Sequence, residues 1–164
     1  MRTIALHGFT GEGADFADLR SHLPAAADFL APDLPGHGAR RGLRQAEDYS
    51  LRAHLAIIDE AVVTYGRLDV LVNNGGVSQR ARAMDADEAV ERLIMEVDYF
   101  GTISLTKYLL PHFLKRKSGH FVTVTSVMGK VGTPYRTGYA AAKHALHGFF
   151  DSLRAELWKD SKSI

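Results

Sequence analysis

Cysteine is absent from all 164 residues, which rules out a disulfide frame and thiolate chemistry. Long apolar runs are missing as well. The opening segment, Met1-Arg2-Thr3-Ile4-Ala5-Leu6-His7-Gly8, lacks the extended apolar stretch of a signal peptide, and no segment approaches the roughly twenty apolar residues of a membrane span. A soluble protein with no membrane partner is expected, cytoplasmic if expressed recombinantly, its natural compartment unknown. Nor does charge of one sign accumulate: 20 Lys and Arg against 19 Asp and Glu leave a net +1, too weak a field to gather a polyanion, so nucleic acid is not an expected partner. Internal repeats and low-complexity tracts are lacking too. What is there, 46% hydrophobic and 24% charged residues, suffices for one ordinary core, and the length fits a single α/β domain over 1–164.

Short apolar runs alternate with longer stretches of helical period, the pattern of strands joined by crossover helices in a parallel sheet. Four strands are predicted, at Thr3 to Leu6, Asp28 to Ala31, Leu68 to Val72 and Phe121 to Thr125. Phe16, Leu19 and Leu23 recur at helical spacing until Pro24 ends the first helix. Leu34 to Tyr49, rich in Gly, Arg and Pro without apolar period, reads as a long loop. Ser50 is a candidate N-cap, after which Leu51, Leu55, Ile58, Val62 and Tyr65 line one face of a helix that Gly66 closes. Asn73-Asn74-Gly75-Gly76 turns the chain after the third strand. Asp87 to Lys115 carries two helical stretches around Gly101, with Val90, Leu93, Ile94 and Val97 on one apolar face and Ile103, Leu105, Leu109, Leu110 and Phe113 on the other. The last helix, Tyr139 to Lys159, presents Ala142, Ala145, Leu146, Phe149, Phe150, Leu153 and Leu157.

Chemistry concentrates in the second half. Tyr139-Ala140-Ala141-Ala142-Lys143 sets a phenol and an ammonium one helical turn apart on the same face. A neighbouring cation favours phenolate, so Tyr139 is a candidate to exchange a proton with an alcohol or carbonyl oxygen. Ser126, at the end of the fourth strand, carries a hydroxyl able to hold the same oxygen. Together with Leu68-Asp69-Val70-Leu71-Val72-Asn73-Asn74-Gly75-Gly76, this segment resembles the short-chain dehydrogenase/reductase family from about Tyr65 to Leu157. Its flavour is that of the steroid and retinol type, on Gly75-Gly76-Val77-Ser78-Gln79-Arg80 and on Lys143-His144-Ala145-Leu146-His147-Gly148-Phe149-Phe150. The resemblance implies Tyr139 as general acid/base, Lys143 as its electrostatic partner and nicotinamide ribose ligand, and Ser126 as donor to the substrate oxygen. Asn73, Asn74, Gly75 and Gly76 would flank an NAD(P) cofactor. The sequence departs from the family at Asp98, where the family carries an Asn that holds a water of the proton relay; an ionised carboxylate accepts hydrogen bonds but donates none. The family's glycine fingerprint does not precede the segment in recognisable form, and its last two strands and substrate loop do not follow Leu157.

The first half reads differently. Ile4-Ala5-Leu6-His7-Gly8-Phe9-Thr10-Gly11 and Leu30-Ala31-Pro32-Asp33-Leu34-Pro35-Gly36-His37-Gly38 resemble the opening of α/β-hydrolases, which implies an oxyanion hole at His7 to Phe9. The Gly-x-Ser-x-Gly elbow that hydrolysis requires is missing, so esterase activity is the least favoured reading. The resemblance switches inside the Leu51 to Tyr65 helix, near Ala61 to Thr64, without breaking its apolar stripe. The expectation is therefore an engineered chimera, a hydrolase-like half at 1–62 joined to a dehydrogenase-like half at 63–164, serving as a scaffold with no competent activity. Its alternative is a residual NAD(P)-dependent oxidoreductase acting on an alcohol or ketone. No cofactor is expected of the scaffold, and NAD(P) of the alternative.

Gly8, Gly11 and Gly13 between a strand and a helix, with Asp33 beyond the second strand, match a dinucleotide cradle or a plain inherited turn. His7 and His37 have no third ligand at metal spacing. His144 and His147 read as a solvated face, and Arg40, Arg41 and Arg44 as a loop-solubilising patch. The expected architecture is a three-layer doubly wound, Rossmann-like domain whose four-stranded parallel sheet has the order 2-1-3-4, used locally by both families. A homodimer through the two C-terminal helices, by way of Leu105, Leu109, Phe113, Phe149 and Phe150, completes the expectation.

Overall fold

The computed structural model describes residues 1–6, 13–33, 39 and 51–160. Its elements in chain order are β1 (Arg2–Leu6), a 3-10 turn (Gly13–Phe16) leading into α1 (Ala17–Ser21), β2 (Asp28–Leu30), α2 (Leu51–Tyr65) and β3 (Val70–Asn73). There follow α3 (Glu88–Ile94), a π-helical segment (Met95–Gly101), α4 (Thr102–Arg116), β4 (His120–Thr123), a second 3-10 turn (Val127–Gly129) and α5 (Thr137–Asp160). The strands form one parallel sheet in the order β2-β1-β3-β4, as the alternating apolar runs require. β1 pairs with β3 from Thr3 opposite Val70 to Leu6 opposite Asn73, so the first residues of the chain are hydrogen-bonded beside the later strands.

The chain divides into two compact units, one of Met1–Asn74 with Leu105–Thr123, the other of Gly75–Ser104 with Val124–Ile164. The first unit contains the whole sheet. Because side chains alternate along a strand, Ile4 and Leu71 meet Ile57, Ile58 and Ala61 of α2 and Leu105, Leu109 and Phe113 of α4 on one face. On the other face Ala5, Phe29, Val70 and Val72 pack with Phe16. A sheet buried on both faces explains why β3 is apolar without alternation.

The lower end of this sheet is tied by one carboxylate. Asp69 Oδ2 accepts the Arg2 backbone N–H at 2.8 Å, and its Oδ1 accepts Arg116 Nη2 at 2.7 Å, with Arg67 Nε at 3.4 Å from Oδ2. Arg116 also donates to the Leu68 carbonyl, while the Leu68 N–H points to His112 Nε2 at 3.4 Å. Side chains of α4 thus occupy the backbone of Leu68, and β3 starts at Val70 rather than at Leu68 as expected. Burial alone would raise the Asp69 carboxyl, but the hydrogen bonds from Arg116 and Arg2 and the charge of Arg67 outweigh it and hold it below its ordinary 3.8.

Other expectations shift for local reasons. α2 has the expected bounds and ends at Gly66 with φ of 71°, the left-handed closure a glycine permits; its buried positions are Ile57, Ile58 and Ala61, whereas Leu51 is exposed. Gly101 does not divide two helices. The backbone runs helically from Glu88 to Arg116 and widens to π geometry at Met95–Gly101; on the predicted apolar face Ile94 is buried while Val90, Leu93 and Val97 are exposed. Leu105, Leu109 and Phe113 belong to the core of the first unit, so they are not a free face for the expected homodimer. The Leu34 to Tyr49 loop, apart from Ala39, and the Ser50 cap lie outside the described residues.

Asp69→Asn is expected to cost about 1–3 kcal/mol at neutral pH, the worth of charge-assisted hydrogen bonds. Because the folded carboxyl is depressed, the deficit is full above 3.8 and fades as pH falls through the folded value. Urea unfolding of both proteins at about pH 7 and about pH 2 checks this, a pH-independent deficit ruling out the ion-pair account.

Candidate active site

The second unit gathers the dehydrogenase-like residues. The Gly75 to Ala81 segment lies along the start of α5. Gln79 Oε1 accepts the Tyr139 N–H at 3.3 Å, satisfying one of the donors that every helix N-terminus leaves open. Thr137 Oγ1 donates to Glu91 Oε1 at 2.7 Å, Arg136 reaches Ser78, and the Ala81 N–H meets the Tyr135 carbonyl at 3.2 Å. These contacts fix the first turn of α5, and with it Tyr139, which is half-buried.

One turn further, Lys143 is 3% exposed, and its Nζ sits 5.5 Å from the centre of the Tyr139 ring. The pairing expected from the spacing is therefore present. A buried ammonium requires a counter-charge, and here Asp98 Oδ2 provides it at 3.2 Å. Asp98 is 0% exposed and rides on the π-helical segment, a distortion common where a helix must aim a functional side chain. Its Oδ1 accepts the Val77 N–H at 2.7 Å, and its backbone carbonyl accepts Thr102 Oγ1 at 2.8 Å. Burial pushes the Asp98 carboxyl above the ordinary carboxylate range, the Val77 N–H and the Lys143 charge pulling the other way.

Gly76 closes over this pair. A Cβ there would lie 2.9 Å from Lys143 Nζ and 3.0 Å from Asp98 Oδ2, so the position admits no side chain unless the pair moves. The glycine expected to flank a cofactor thus also roofs a buried ion pair.

Ser126 caps the 3-10 turn after β4, its Oγ accepting the Met128 N–H at 3.2 Å, which leaves the hydroxyl hydrogen free to donate. That turn packs on α5: a Cβ on Gly129 would meet the His147 ring at 3.0 Å and the Lys143 carbonyl at 3.1 Å. His147 is accordingly not the solvated residue expected, since it is half-buried and its Nε2 pairs with Thr125 Oγ1 at 3.2 Å. This pairing coincides with β4 ending at Thr123 rather than at Thr125. His144 is exposed, as expected, with Nδ1 on the Ala140 carbonyl at 2.8 Å. The His147–Thr125 pair and the Gln79 cap were not anticipated; residues far apart in sequence carry no local signal of meeting.

In the first unit, the C-terminal ends of β1 and β3 flank the point where strand order reverses, the usual ligand position of such sheets. Asn73 is buried there; its Nδ2 donates to Thr106 Oγ1 at 3.2 Å, and its Oδ1 has no hydrogen-bond partner among the described residues. Asp33 accepts the Gly13 N–H at 2.8 Å and the Ala39 N–H at 2.7 Å, so both of its oxygens already hold backbone. Gly13 lies close against the Ala31 carbonyl. Gly8, Gly11, His7, Phe9, His37, Arg40, Arg41 and Arg44 lie outside the described residues. Among the described residues no three His, Cys, Asp or Glu side chains group to hold a metal, and no helix is long and apolar enough to cross a membrane.

A parallel sheet with its order reversed beside β1 and helices between the strands is the doubly wound, Rossmann-like class of α/β domain. More narrowly, the chain belongs to the short chain dehydrogenase family, whose model matches residues 43–161. Human dehydrogenase/reductase SDR family member 7 is 50% identical over 105 residues, covering 64% of this chain and 31% of the relative. The rat dehydrogenase/reductase SDR family member 7B is 48% identical over 102 residues, 62% of this chain and 31% of the relative. The aligned stretch thus spans about a third of these relatives. A short-chain dehydrogenase from Streptomyces avermitilis superposes with a TM-score of 0.68 at 26% identity, covering 94% of this chain and 51% of that one. An actinorhodin polyketide ketoreductase variant with NADPH gives a TM-score of 0.69 at 26% identity, over 94% and 54% of the two chains.

These matches correct the reading of the first half. The family model begins at residue 43, ahead of the seam placed at 62/63, and the dehydrogenase structures cover nearly the whole chain. The hydrolase-like half and the chimera receive no support from them. The physical reason is that a buried strand followed by a glycine-rich turn and a helix opens any doubly wound domain, so so short a signal does not tell one parent from another.

Gly76→Ala is expected to destabilise the protein by about 1–3 kcal/mol, the usual range for overpacking a closed site. Denaturant unfolding measures it, and an unchanged midpoint would show that Lys143 moves freely.

Proposed function

We propose that the chain is an NAD(P)-dependent oxidoreductase of the short-chain type, acting on an alcohol or ketone. The observation that carries this reading is the Lys143 ammonium 5.5 Å from the Tyr139 ring within one unit, beside a turn whose Ser126 hydroxyl is free to donate. The relatives bear the names of dehydrogenases and reductases, and one structural neighbour holds NADPH, which supports the cofactor class.

The residues present fit a dinucleotide. Asn73 Oδ1 is a buried acceptor without a partner among the described residues, at the switch point of the sheet where an amide or hydroxyl donor of a nucleotide is suited to it. Within the first unit, Asn73 and Asn74 are the residues proposed to hold the group, which when bound supplies hydride. In the reducing direction Ser126 donates a hydrogen bond to the substrate carbonyl oxygen, and Tyr139 passes its phenolic proton to that oxygen as the alcohol forms. Lys143 supports the phenolate left behind.

Fluorescence titration with NADPH and with NADH is expected to give saturable binding of at least one. Tyr139→Phe is expected to lower turnover of a ketone at least about 100-fold while leaving nucleotide affinity within about threefold, because general acid catalysis, not binding, is removed. A folded chain that binds neither nucleotide would sink the reading.

A further inference from the structure

Asp98 has no part in the chemistry just described, yet it is the most enclosed charged group among the described residues, at 0% exposure. The π-helical segment and the Val77 N–H, 2.7 Å from Oδ1, hold its carboxylate in one orientation. Oδ2 then has Lys143 Nζ at 3.2 Å and no hydrogen-bond partner of good geometry, so its lone pairs are compensated by charge alone. The backbone of Gly76 leaves Lys143 no side-chain width in which to swing away.

We propose that Asp98 is a positioning residue that acts through Lys143: its carboxylate competes with the Tyr139 phenolate for the lysine's charge and so sets the pH at which Tyr139 releases its proton. With Asp98 ionised the buried pair carries no net charge, and Tyr139 feels a short dipole. With a neutral hydrogen-bond acceptor at 98, such as the Asn or Ser oxygen, to keep the ammonium solvated, a full positive charge stands 5.5 Å from the ring centre in a poorly polarisable interior. Tyr99, on the π-helical segment with Asp98, packs its ring against Phe149, the centroids 6.4 Å apart. On α3, Glu91 accepts from Thr137 and Arg92 pairs with Glu88 at 2.9 Å. Near and along α5, Arg136 goes to Ser78, His144 to the Ala140 carbonyl and His147 to Thr125. Glu96, on the same π-helical segment as Asp98, is exposed.

The inference rests on the proposed function for its effect on turnover, and its primary test needs no nucleotide. Phenolate absorbance is titrated in the wild-type chain, in Asp98→Asn and in the double variant Asp98→Asn/Lys143→Gln. Each is read as a difference from its own Tyr139→Phe counterpart so that the other tyrosines cancel. Ionisation is expected to set in at least about one pH unit lower in Asp98→Asn than in the wild type, tenfold in proton activity, for a unit charge at this range. The double variant, with neither charge, is expected to return to the wild-type position. Asp98→Ser, neutral and smaller, carries the same expectation if Asp98→Asn does not fold. An onset unchanged or raised in the neutral variant overturns the proposal, as does a double variant that tracks the single one. In turnover, the pH profile of Asp98→Asn is expected to move to lower pH by the same interval. A shift in absorbance without any NADPH binding leaves the role of Asp98 intact and removes the oxidoreductase reading. Binding and turnover without the shift do the reverse.

Discussion

A lysine ammonium is costly to bury in a protein unless neighbouring groups compensate its charge, and this constraint organises the second unit. Lys143 is placed inward by its position one turn beyond Tyr139 on α5, and Asp98 meets it from the π-helical segment. Everything near the pair answers to it. The Val77 N–H orients the carboxylate, Gly76 gives up a side chain to let the backbone pass, and Thr102 holds the carbonyl of the widened helical turn. A buried pair of this kind adds little net stability over apolar residues of similar volume, but breaking it by removing one partner is expensive, so it fixes geometry more than it contributes energy.

The first unit is held by different means. Its sheet is closed on both faces by apolar side chains, and its lower edge is tied by Asp69 to Arg2, Arg67 and Arg116. At the opposite end the strands stop at residues with unmet polarity, of which the Asn73 side-chain oxygen is the clearest. One end is thus saturated with charge pairs, while the other keeps an acceptor open where α/β sheets commonly bind ligands. Stability and readiness to bind occupy opposite ends of the same strands.

Membership in the short chain dehydrogenase family covers the segment that carries Tyr139, Lys143, Ser126 and the buried pair. Where the family pattern has a neutral amide, this protein has a carboxylate whose partner is the lysine itself. The hydrolase-like signals in the first half misled for a related reason. His-Gly-Phe and Asp-Leu-Pro-Gly-His-Gly are turn signals, and turns after parallel strands are constrained by backbone geometry before they are constrained by chemistry.

Sequence by itself determined the strand count and parallel order, the bounds of α2 with its closing Gly66, and the placement of Tyr139 and Lys143 on one face. Apolar period, glycine conformation and helical pitch are local properties that any reader of the chain recovers. Tertiary structure alone decided that Asp98 lies against Lys143 and Gly76, that His147 holds Thr125 beside the Ser126 turn, that Leu105, Leu109 and Phe113 are core, and that Gly101 ends a π-helical stretch instead of breaking a helix. The physical reason is common to all four. Each depends on groups brought together from distant parts of the chain, or on a helix bending to accept them, and burial of a charge is decided by what arrives to neutralise it.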